Sequence, residues 1–128
     1  MTRFALLSTA GLLLLSLPVR AETHRDAALR AFAEGDASGV RALRAESGDV
    51  ALRNLACAAT LAEGARASAV KCWNAVMTDA PSDPAASDNL GALALQEGDA
   101  AAAASHFGHA LGLDFSDVAA LSGLAQAE

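Results

Sequence analysis

The chain has 128 residues, a length for one domain. Its 34 alanines and 19 leucines, set against six valines and no isoleucine or tyrosine, argue against a β-sheet protein and for an all-α one. A net charge of −6 argues against partners that are themselves polyanions, nucleic acid above all.

In chain order, residues 1–21 differ from the rest. MTR is a short positive start, FALLSTAGLLLLSL is an apolar run, and PVRA ends on a small residue, with Val19 and Ala21 placed for cleavage before Glu22. This layout predicts a secretory signal peptide. The run falls short of the roughly 20 residues that a membrane span requires. The chain from Glu22 on then holds all 15 acids, and the charge divides unevenly along it. Residues 22–71 carry seven acids and seven bases, whereas residues 72–128 carry eight acids and no lysine or arginine.

From residue 22 onward the pattern predicts helices in pairs. HRDAALRAFAEGD (24–36) and the short SGVRALRAE form a first, degenerate pair within 22–48. Residues 49–62 and 65–78 form the next, turning at AEGA, and residues 84–96 and 100–112 the third, turning at QEGD. A last helix covers about 117–127. Asp49, Asp83 and Ser116 stand where helices begin, and Gly64 and Gly98 where they stop. A shift of 34 places Gly64 on Gly98, Ala69 on Ala103 and Trp73 on Phe107, so the pairs read as an internal repeat. The alternative is an ordinary alanine-rich helical bundle.

In a hairpin centred between Gly64 and Ala65, Cys57 faces Cys72 and Thr60 faces Ala69. In the next hairpin Ala94 faces Ala103 and Gly91 faces His106. Small residues at these crossings predict closely approaching helices, with Leu90, Leu93, Phe107, Leu111 and Trp73 filling the seams between pairs. Facing cysteines in an oxidising compartment predict a structural disulfide, Cys57–Cys72. A redox-active pair is the less favoured reading, because such thiols sit close together at a helix N-terminus. His106 and His109 share a helix face, but no third ligand stands at matching spacing, so no metal or other cofactor is expected. No motif of catalytic spacing occurs, and the protein reads as a non-enzyme.

Leu90-Gly91, Gly98-Asp99, Ala103, Phe107 and Ala110-Leu111, matched in the preceding unit by Ala56-Cys57, Gly64, Ala69, Trp73 and Pro81, resemble the tetratricopeptide repeat. The resemblance covers residues 49–128, with departures at Arg53, Ser87, Thr60, Ala94 and Phe115. It implies stacked antiparallel helical hairpins, a right-handed α-solenoid of about three hairpins plus a C-terminal helix. It also implies a groove lined by Asn54, Ala58 and Leu61, then Asp88, Ala92 and Leu95, then Ser122 and Gln126, which binds another protein or peptide. With Asp88 and no base in that groove, capture of a terminal carboxylate there is not expected. The combined expectation is an exported, periplasmic adaptor without enzymatic activity, of use in assembling or maturing an envelope complex. Two alternatives stand beside it. One is a thiol- or metal-dependent redox protein using Cys57, Cys72, His106 and His109. The other is a self-associating subunit that pairs through Leu121 and Leu124 of the last helix.

Overall fold

The computed structural model describes residues 22–128; the expected leader, residues 1–21, lies outside them. Among the described residues the chain is all-helical, with α1 (His24–Ala33), α2 (Ala37–Ala45), α3 (Val50–Ala62), α4 (Arg66–Asp79), α5 (Ala85–Gln96), α6 (Ala100–Leu113) and α7 (Val118–Ala127).

Short polar side chains start most of these helices by accepting first-turn N–H groups that have no carbonyl partner of their own. Asp36, Asp49, Asp99 and Asp117 accept from Gly39, Ala51, Ala102 and Ala120. Thr23 and Asp26 form a reciprocal capping box at α1. Pro84 holds the cap position of α5, yet Asp83 Oδ1 still accepts from the Ala85 N–H at 2.9 Å. The last helix corrects the sequence reading. Its cap is Asp117 rather than Ser116, whose hydroxyl turns back to Asp114 Oδ1 at 2.7 Å. Three helices stop at glycines in the left-handed region, Gly35, Gly64 and Gly98, with φ of 76°, 85° and 76°.

Every helix packs on its successor, and the odd-numbered helices also meet in series: α1 on α3, α3 on α5, α5 on α7. Among the described residues the even-numbered helices do not meet one another. The odd helices therefore form a continuous row, while the even helices stand apart from one another.

Three apolar clusters hold this arrangement together. Val40 of α2 joins Ala31, Ala56 and Ala59. Trp73 and Val76 of α4 join Cys57 of α3 and Ala86, Leu90 and Leu93 of α5. Phe107 and Ala110 of α6 join Ala94 of α5 and Ala120 of α7. Leu90, Leu93 and Trp73 thus fill a seam between successive helix pairs, as their spacing suggests. Bidentate Arg41–Glu63 and Arg66–Glu97 pairs staple α2 to the end of α3 and α4 to the end of α5. Exposed pairs of this kind contribute about 0–1 kcal/mol each.

Phe107 shows why small residues are needed. Its ring is 3% exposed and lies against Gly91 of α5 and Gly123 of α7. A Cβ at Gly91 would stand 2.8 Å from the ring, and one at Gly123 only 2.2 Å. The nearest atoms to Gly91 across the seam are those of the Phe107 ring, and His106 beside it is half-buried. The Cys57–Cys72 bridge is formed, with Cα atoms 5.5 Å apart, and it ties α3 to α4 beside the Trp73 cluster.

Two outcomes follow from this packing. Replacing both cysteines by alanine lowers unfolding free energy by about 3 kcal/mol, the chain-entropy value for a loop this short, which a urea titration reads. Gly123→Ala destabilises by about 1–3 kcal/mol through overpacking, although alanine is the better helix former by about 1 kcal/mol. In a Phe107→Leu background the same substitution becomes neutral or stabilising, and a double-mutant cycle on urea midpoints checks this.

Candidate functional site

The row of odd helices presents two adjoining hollows. The first, about 280 Å³, lies over α1, α3 and the start of α5. Its walls are mostly apolar, from Leu29, Leu52, Leu55 and Ala58, with Arg25, Asn54 and Asn89 as polar points. The second, about 420 Å³, lies between α5 and α7 and is lined by Asp88, Asn89, Ala92, Leu95, Ser122 and Gln126, with the edge of Phe107 at its base. Asn89 borders both.

These positions follow from helical spacing. Asn54 and Ala58 are one turn apart on α3, Asp88, Ala92 and Leu95 share a stripe of α5, and Ser122 and Gln126 share a stripe of α7. Seven of the eight groove residues named from the sequence therefore border one hollow or the other. Leu61 borders neither; it is half-buried and packs on the Cys57–Trp73 cluster. The sequence reading missed Asn89, Leu29 and Arg25. Asn89 follows Asp88 directly, and that adjacency was the one available signal.

The polar groups differ in how well they are satisfied. Asn54 is 6% exposed; its amide donates to the Val50 carbonyl at 3.2 Å while its Oδ1 has no partner. Gln126 donates back to the Ser122 carbonyl at 3.3 Å. Asp88 is the distinctive one. Its Oδ1 is buried without a hydrogen-bond partner, and burial first, then the neighbouring Asp117 carboxyl and the negative charge of Asp83, push its pKa up to about 7. Asp83 ends the α4–α5 connection and Asp117 caps α7, so the tertiary fold gathers three carboxyl groups at one end of the second hollow.

The remaining candidate groups lie elsewhere. Cys57 is fully buried within the disulfide. His109 is exposed on α6. Among the described residues no three His, Cys, Asp or Glu side chains converge as a metal ligand set. No helix among them is long and apolar enough to cross a membrane. On α7, Leu124 is half-buried against the Phe107 cluster, while Leu121 is 51% exposed.

No protein-family model matches the chain, and no curated protein matches it.

Asp88 has a pH signature with a definite sign. Its folded value lies above the ordinary 3.8, so the folded chain holds the proton more tightly than the unfolded chain. Its penalty on stability is absent below about pH 4 and complete above about pH 7. Asp49, Glu63, Glu97 and Asp114 are shifted down by their hydrogen-bond partners and act oppositely in acid. The variant isolates the Asp88 contribution. Asp88→Asn is more stable than the parent at pH 8 by on the order of 1 kcal/mol or less, since solvent screens the group, and the gain vanishes near pH 4. Urea midpoints at the two pH values measure this.

Proposed function

We propose that this chain is an exported, non-enzymatic adaptor of the tetratricopeptide-repeat kind, periplasmic, which holds a segment of another protein along its odd-numbered helices. The observation that carries the reading is the pair of hollows joined at Asn89. They are lined by small residues that leave space, apolar walls that reward burial, and a few polar groups that fix orientation. The contact series α1–α3–α5–α7 with separated even helices supports a stack of helical hairpins, in which each pair buries its apolar face on the next.

The charge of the groove supports a choice of partner. Asp88, Asp117 and Asp83 cluster at the α5–α7 end, and no lysine or arginine occurs after residue 71. A segment that brings a basic side chain to that end relieves the repulsion among them, and it binds more tightly once Asp88 is ionised above about pH 7. A second reading, self-association, is favoured by the exposure of Phe115 (88%) in the α6–α7 turn and of Val118 (77%) and Leu121 on α7.

One experiment tests both. Photo-crosslinking residues placed at Ala92 and Ser122, and separately at Leu121, are activated in cells carrying the chain. The adaptor reading expects a discrete heterologous product from Ala92 and Ser122, lost when Asp88 is replaced by Lys. Crosslinks from Leu121 alone, at twice the chain mass, favour self-association, and the absence of any product from Ala92 and Ser122 counts against the adaptor.

A further inference from the structure

A different concavity lies on the opposite side of α3. Because α2 and α4 do not meet, a gap of about 290 Å³ opens between them over α3. Three arginines line it, Arg41 and Arg44 from α2 and Arg53 from α3, and no carboxylate does. Thr60 apart, its other walls are small and apolar, with Val76 of α4 and the Cys72 arm of the disulfide among them. We propose that this gap is a binding site for a small monocarboxylate, an acid with one carboxylate head and a short apolar body.

The charge balance selects a single negative charge. Arg41 already holds Glu63 through two hydrogen bonds of 2.7 and 3.1 Å, and Arg53 holds Asp79 at 2.8 Å. Both acids stand outside the lining. Arg44 makes no ion pair and no side-chain hydrogen bond among the described residues. A neighbouring furrow that Arg44 and Arg53 also border contains Glu46, which hydrogen-bonds the His24 ring at 3.2 Å, and Asp79, which pairs with Arg53. Within the lining of the gap itself the Arg44 guanidinium is the one left unpaired, and a single carboxylate matches it where a phosphate dianion overshoots.

The donors match as well. Thr60, also in the lining, spends its hydroxyl hydrogen on the Ala56 carbonyl at 3.0 Å. The side-chain donors free to face a ligand are therefore N–H groups of arginine. Arg53 keeps its Nε and one terminal nitrogen, and Arg44 keeps its whole planar fork, which suits the two oxygens of a carboxylate. The carboxylate then sits at the mouth beside Arg44, and the hydrocarbon part lies toward Val76 and the disulfide. The gap is at the small end of the roughly 300–1,000 Å³ range of ligand sites, so the body is short.

The test is an NMR titration of the full chain, disulfide intact, at constant ionic strength. The probes are sodium butyrate, N-acetyl-dialanine with a free terminus, and sodium phosphate. The expected result is saturable shifts from at least one of the two carboxylates at the Arg44 and Arg53 Nε–H signals and the Val76 methyls. The tighter of the two identifies the source as a free acid or a chain terminus. Arg44→Gln weakens binding about tenfold or more, the loss of one charge-assisted hydrogen bond, Arg44→Lys weakens it less, and Arg66→Gln leaves it unchanged. Because Arg44 is exposed and unpaired, its replacement leaves the fold intact, and far-UV circular dichroism checks that. Absence of saturation, shifts centred elsewhere, no effect of Arg44→Gln, or phosphate binding as tightly as butyrate would each overturn the site.

Discussion

An aromatic ring resting on two helices that carry only hydrogen at the points of contact sets the geometry of the C-terminal half. Phe107 needs both Gly91 and Gly123 bare, and with them bare it joins α5, α6 and α7 through one side chain. The same constraint, relaxed to alanine, governs the rest. Alanine buries little area, so an alanine core holds only where backbones come close enough for dispersion contacts to accumulate. Ala56 and Ala59, then Ala69, then Ala94 and Ala103 are all buried. Against this thin hydrophobic return, the Cys57–Cys72 bridge is a major contribution, because total stabilities are only about 5–15 kcal/mol.

Close packing along the odd row has a complementary effect on the even helices, which are held apart. The result is two unlike surfaces on one helix. α3 turns Asn54 and Ala58 toward the hollows of the odd row and Arg53 and Thr60 toward the gap between α2 and α4. The charge asymmetry of the sequence becomes spatial in this way. Arginines gather at the gap in the N-terminal half, and carboxyl groups gather where α5 meets α7.

Much of this was legible beforehand. Aspartates three residues or fewer ahead of their bonded N–H groups, and glycines at 35, 64 and 98, mark helix ends by local chemistry alone. The disulfide followed from a single centre of reflection in the α3–α4 turn. The contact of Phe107 with Gly91 lay beyond such a facing-number rule, which ignores the angle at which a side chain leaves its helix. Gly123 was out of reach for another reason: its need arises from a ring sixteen positions earlier, across a seam that no local spacing encodes. Leu61 had the right stripe on α3 but was long enough to turn into the core. The elevated Asp88 depends on Asp117 from the start of α7, and the gap joins Arg41 and Arg44 of α2 with Arg53 of α3, meetings that only the assembled helices bring about.

The single sulfur bridge also determines how the molecule answers to being pulled. Tension entering at one end of the chain passes from Cys57 straight to Cys72, so the intervening residues 58–71, including the Gly64 turn, bear none of it. The remaining helices can be drawn out from either side, but this central loop stays folded back on itself until the sulfurs part. In an oxidising milieu the chain is therefore shorter when stretched than its residue count implies, and it keeps an inextensible knot from which its neighbours can re-form.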